Sequence, residues 1–145
     1  SSDLSLSDLY KKLATYPVKG AYVFLDACFS GGYKSAAPLL AQKGVRVVPK
    51  VGLPQGNTLS FSSSSGDQTS SVYHEKKQGY YTYFLIKTIR DAKGNISMKE
   101  LFDRTSAAVK RATALIDKIQ EPQCMASPTW IGWEDIKLET PVVTP

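Results

Sequence analysis

An α/β layered domain with a mainly parallel sheet is the fold the sequence predicts, on three observations. Short apolar, β-rich runs at 21–27, 45–51 and 58–63 alternate with stretches of helical periodicity. Two capping signatures, Ser5 with Asp8 and Ser97 with Glu100, mark helix starts just ahead of apolar-periodic residues. The chain has 145 residues, 42% of them hydrophobic and 10% aromatic, enough for one buried core. Strands separated by helices are joined most simply by crossovers, which make parallel neighbours.

The first helix follows Ser5 and carries Leu6, Leu9 and Leu13 on one face, and Pro17 and Gly20 end it. The 21–27 run enters the turn at Gly31-Gly32, after which 33–42 reads as a short helix with Gly44 as its C′ residue. Residues 45–51 form a β-branched run, and 58–63 alternates Leu59 and Phe61 with polar residues, so both read as strands. The polar stretch 64–78 reads as a loop that carries function or mobility. A helix over 79–91 buries Tyr80, Tyr83, Phe84 and the Ile86–Ile89 side. The longest helix starts at Ser97 and keeps one apolar face from Met98 to Ile119, with Pro122 as its stop. The aromatic-rich 129–138 stretch reads as a closing strand, and 140–145 as a frayed tail.

Composition excludes several classes. No apolar run reaches the roughly 18 residues of a membrane span, and no charged-then-apolar leader opens the chain. The formal charge is +5 and the isoelectric point near 9.2, but the basic residues are scattered without interleaved aromatics. A nucleic-acid or membrane partner is therefore not expected. Two cysteines are too few for a disulfide framework, and no Cys/His cluster has metal spacing, so a reducing, cytoplasmic setting and no cofactor are expected. The 91–95 turn lacks the acidic count and spacing of a calcium loop.

Chemistry concentrates at Asp26-Ala27-Cys28-Phe29-Ser30-Gly31-Gly32, directly behind Ala21-Tyr22-Val23-Phe24-Leu25. Open α/β sheets bind ligands outside the carboxyl ends of their strands, and a cysteine delivered there into a Gly turn is placed as a nucleophile. Cys124 has no activating neighbour in sequence and reads as structural. A thiol with an ordinary pKa near 8.5 is mostly protonated at neutral pH and needs a base. The sole histidine, His74, lies in the polar loop and reads as a surface residue.

The Asp-Ala-Cys-x-Ser-Gly motif resembles the nucleophile motif of caspase-fold cysteine peptidases. It is closer to metacaspases and bacterial caspase-like proteins than to animal caspases, whose signature reads Gln-Ala-Cys-x-Gly. Ser65-Gly66-Asp67-Gln68-Thr69-Ser70-Ser71 resembles the metacaspase stretch Ser-Gly-Cys-x-x-Asp-Gln-Thr-Ser-Ala-Asp, without its Cys and with Ser71-Val72 for Ala-Asp. Gly79-Tyr80-Tyr81-Thr82-Tyr83-Phe84-Leu85 is similar to the Gly-x-Phe-Thr-Tyr-x-Leu helix start of the bacterial proteins. Gln120-x-Pro122 at the end of the long helix is similar to that group as well, so the resemblance runs from Leu4 to Trp133.

The resemblance implies a three-layer caspase-like sandwich, here the C-terminal portion of one catalytic domain over 1–145, lacking its N-terminal strands. It implies a thiol endopeptidase forming an acyl-enzyme on Cys28, with the Cys28 backbone N–H as an oxyanion donor. Asp26 would line the pocket for the residue before the cut and select Arg or Lys; Gly31 would open space for substrate, and Asp67 belongs to the same binding side. The family's histidine lies about 50 residues before the cysteine. Only 27 residues precede Cys28, so that His is expected on a segment upstream of Ser1, a second chain of the same processed zymogen. On its own the chain is then expected to be inert. Two alternatives stay open: a caspase-fold pseudoenzyme or regulatory binding subunit, and a clostripain- or separase-like peptidase, against which the Asp-Gln-Thr-Ser and Gly-Tyr-Tyr-Thr-Tyr stretches argue.

Overall fold

The structure, a computed structural model, describes residues 6–26, 53–64, 68 and 70–138. The helix and strand expected at 33–42 and 45–51, and the tail at 140–145, lie outside the described residues. In chain order the elements are α1 (Leu6–Ala14), β1 (Ala21–Leu25), β2 (Thr58–Ser62), β3 (Val72–Tyr73), β4 (Gln78–Gly79), α2 (Tyr80–Asp91), α3 (Met98–Ala114) and β5 (Gln123–Ala126). Single 3-10 turns occupy His74–Lys76 and Trp133–Asp135.

The described sheet has the order β1-β2-β5. β1 and β2 run parallel with Tyr22 opposite Leu59 and Phe24 opposite Phe61, while β5 runs antiparallel to β2. All five residues of β2 are buried. Because successive side chains point to opposite faces, the Leu59–Phe61 face holds the aromatic core. Phe61 stacks on Phe24 at 5.0 Å and meets Phe102 of α3 at 6.1 Å. Leu59, Phe61, Tyr80, Tyr81, Ile96, Met98, Leu101 and Val109 are all buried in this one cluster, so α2 and α3 cover that face. On the other face α1 docks through the fully buried Tyr10. Burial pushes the Tyr10 phenol up, with the Ser60 side chain beside it partly offsetting the rise. Helices on both faces of a mixed sheet give the layered α/β arrangement.

Local chemistry explains the helix ends. The Ser97 side chain accepts from the Glu100 backbone N–H at 3.1 Å, as the capping-box spacing requires. The same helix shows a clear departure at its other end. Its apolar pattern continues to Ile119, yet α3 ends near Ala114, and Leu115 and Ile119 are 87% and 72% exposed. The stop is a Schellman motif, not Pro122. Asp117 is left-handed at φ 57°, its N–H donates to the Ala114 carbonyl at 3.1 Å, and the Lys118 N–H donates to Thr113 at 2.9 Å. α2 closes the same way, with Lys93 left-handed and Gly94 N–H donating to Ile89 at 3.0 Å. On α2 the buried residues are Tyr80, Tyr81 and Thr88, and Ile86 is exposed, so the buried face is rotated toward Tyr81.

The closing strand is also elsewhere than expected. It is β5, including Cys124, and not the 129–138 stretch. That stretch turns at Ser127–Trp130 and at Gly132, whose φ is 83°, and returns along the start of α3. There the Ile136 carbonyl accepts the otherwise orphaned Met98 N–H at 2.8 Å. Trp130 is buried beside Tyr22, with ring centroids 6.1 Å apart. Finally, the polar 64–78 stretch is not a plain loop. It carries the β3–β4 hairpin, held to α2 by Tyr73 stacked on Tyr80 at 4.6 Å.

Candidate active site

Parallel β1 and β2 end on the same side of the sheet, and Asp26, the one candidate site residue among the described residues, lies there. The Ser63 N–H donates to the Leu25 carbonyl at 2.9 Å, which carries the parallel pairing one residue past β2. Asp26 follows directly after β1. The chain therefore delivers Asp26 to the carboxyl rim of the sheet, where open α/β sheets bind their ligands. Cys28, Gly31 and Asp67 lie outside the described residues.

Asp26 is held from the side by α2. The Thr82 hydroxyl in the first turn of α2 donates to Asp26 Oδ2. Gly79, the residue that starts this helix, has φ −64°, a value any residue adopts. A Cβ built on it would stand 2.7 Å from Asp26 Oδ2 and 3.3 Å from Oδ1. The glycine thus keeps space for the carboxylate. Burial pushes the Tyr81 phenol up, and the nearby Cys124 and Asp26 add to the rise, so Tyr81 stays neutral beside the site.

Beside the rim a polar clamp joins the stretch from Ser63 to Ser71 to the distant Gln120 and Glu121. Ser63 and Ser64 are fully buried. The Ser63 hydroxyl is paired with that of Ser70, and the Ser64 hydroxyl donates to the Gln68 carbonyl at 3.4 Å. Beneath them the Gln120 side chain, 1% exposed, spans two backbones. Its amide nitrogen donates to the Ser63 carbonyl at 2.8 Å, and its oxygen accepts from the Ser71 N–H at 2.9 Å. Gln68 Oε1 in turn accepts from the Glu121 N–H at 2.7 Å. A buried amide satisfied at both ends positions the chain well and is costly to remove. Gln120→Leu is expected to destabilise the domain by roughly 2–3 kcal/mol, because polar backbone groups lose their buried partner. Urea denaturation checks this, and a change under about 0.5 kcal/mol would show that the clamp is replaceable by water.

Gln120 is thus a positioning residue that spacing alone does not reveal, although the Gln120-x-Pro122 resemblance points at it. No spacing marks Ser63 and Ser70 as partners, although Ser70 lies in the stretch that resembles the metacaspase motif. His74 is exposed in the 3-10 turn of the hairpin, where its carbonyl accepts from the Lys77 N–H at 3.3 Å. Cys124 on β5, opposite Phe61, is half-buried against the core, and burial pushes its thiol up to about 12. Among the described residues no group of three or more His, Cys, Asp and Glu side chains could hold a metal ion. No helix among them is long and apolar enough to cross a membrane.

Comparison with known proteins gives one family. The family model described as the caspase domain matches residues 2–129. No curated protein and no solved structure matches.

Proposed function

From the premise that this chain belongs to the caspase-domain family, we propose that it carries the nucleophile of a cysteine endopeptidase that cuts after Arg or Lys. Family membership makes the fold a caspase-like α/β sandwich and supports a caspase-like cysteine peptidase. The proposal goes further, to Cys28 as nucleophile and Asp26 as the selector of the residue before the cut.

The observation that carries it is the placement of Asp26. A carboxylate stands at the carboxyl rim of the parallel strands, two residues before Cys28, and no salt bridge occupies it among the described residues. A carboxylate at such a rim pairs with a guanidinium or ammonium and repels an acidic side chain. In the reaction the Cys28 thiolate attacks the scissile carbonyl and the C–N bond of the resulting tetrahedral species breaks. The amine leaves with a proton from the general acid. Water then hydrolyses the thioester, regenerating the thiol. The oxyanion is stabilised by backbone N–H donors, that of Cys28 among them.

The general acid and base is proposed to be a histidine on a segment upstream of Ser1, from the same precursor. Such a segment is proposed to pair with β1 of the sheet. β1 is its edge strand among the described residues, and Phe24 on β1 is 38% exposed although it stacks on buried Phe61. The edge of a sheet is a surface that pairs with another strand.

A fluorogenic peptide library tests the specificity. Arg and Lys substrates are expected to be preferred, and Asp26→Ala to lower kcat/KM on them by on the order of 100-fold. A preference for Asp before the cut contradicts the reading. A basic preference that survives Asp26→Ala moves its cause to another residue.

A further inference from the structure

We propose that Thr82 and Gly79, at the start of α2, position the Asp26 carboxylate so that Oδ1 is presented to the basic side chain of the substrate. This inference rests on the reading of Asp26 given above. Thr82 is a positioning residue, because it touches Asp26 and acts on substrate only through it.

The two contacts converge on one oxygen. Thr82 donates to Oδ2, and Oδ2 is also the atom nearest to where a Gly79 Cβ would stand, at 2.7 Å against 3.3 Å for Oδ1. Oδ2 is therefore turned toward the helix. Asp26 is exposed among the described residues, so its carboxylate is still open to a ligand. Gly79 has an ordinary helical-entry backbone at φ −64° and ψ 149°, and no left-handed conformation demands glycine there. A Cβ there would instead crowd the carboxylate, which would have to shift from its present position.

The helix start is itself anchored. Gly79 pairs with Val72 in the hairpin, the Tyr80 N–H donates to the Ser71 carbonyl at 3.0 Å, and the Ser71 N–H is held by Gln120. A first helical turn is also a favourable place for a carboxylate, since the helix N-terminus carries partial positive charge. Thr82 fixes the direction of the carboxylate within that field. A fixed acceptor spares the substrate the ordering cost of a free one.

The test measures binding without turnover, in the full polypeptide bearing Cys28→Ala. Titration calorimetry compares an acetylated peptide amide ending in arginine with the same peptide ending in citrulline, its uncharged isostere. The expected result is that Thr82→Val lowers the Arg-over-citrulline affinity ratio about tenfold, as for loss of one hydrogen bond to a charged group. Thr82→Ser restores it, and Gly79→Ala lowers it in the same direction by crowding Oδ2. An unchanged ratio in Thr82→Val overturns the inference. So does an equal loss for both peptides, which marks a merely structural role. Asp26→Asn separates the two levels. If it abolishes discrimination while Thr82→Val leaves it intact, only the positioning inference fails. If discrimination is absent in the parent or unaffected by Asp26→Asn, the reading of Asp26 fails and the inference with it.

Discussion

Cys28→Ala is expected to abolish peptidase activity, lowering kcat by on the order of 10,000-fold or more, while Cys124→Ala stays within a few-fold of the parent. The contrast rests on burial at Cys124 and on the sequence motif at Cys28. Cys124 sits on β5 opposite Phe61, where burial pushes its thiol up to about 12, so it stays protonated at neutral pH. A thiol in that state neither attacks a carbonyl nor reacts rapidly with an electrophile. Cys28 comes three residues after β1 in the chain, in the motif whose resemblance assigns it the nucleophile. Labelling the active protein with a peptidyl-arginine electrophile and mapping the adduct gives a second readout. An adduct on Cys124, or full activity in Cys28→Ala, would overturn the assignment and leave a binding subunit as the better account of this chain.

The largest expected loss of stability comes from Phe61→Ala, about 3–5 kcal/mol. Phe61 is 1% exposed, stacked on Phe24 from β1 and faced by Phe102 from α3. Truncation opens a cavity at the point where the two parallel strands and the long helix meet, and it removes two aromatic contacts as well. Domains of this size are stable by only about 5–15 kcal/mol, so most of that margin can be lost at this one position. Phe61→Leu, which keeps most of the volume, is expected to cost about 1–2 kcal/mol and serves if the alanine variant does not fold. As a surface control, Ile131 is 89% exposed and Ile131→Ala should change stability by under about 0.5 kcal/mol. Urea denaturation measures all three. A loss under about 1 kcal/mol in Phe61→Ala would mean that the core centre lies elsewhere.

Residue pattern by itself determined the local elements whose signals are short-range: the Ser97 cap, the strands at β1 and β2, the helices α1 and α2, and a nucleophile motif placed after an apolar strand. These follow from capping geometry and side-chain period, which act over a few residues. Tertiary structure decided the rest. The apolar face that runs to Ile119 does not extend α3, because the Asp117 turn and the clamp at Gln120 redirect the chain toward the sheet. β5 has no β-branched residue to announce it, and it is a strand because buried β2 needs a partner along that edge. The 129–138 stretch has strand-like aromatics, yet its backbone groups are used by the start of α3 instead. Thr82 and Gly79 lie more than 50 residues from Asp26 in sequence, and only packing of α2 against the end of β1 brings them together. Period and capping are fixed by neighbours along the chain; which polar group meets which is fixed by where the layers close.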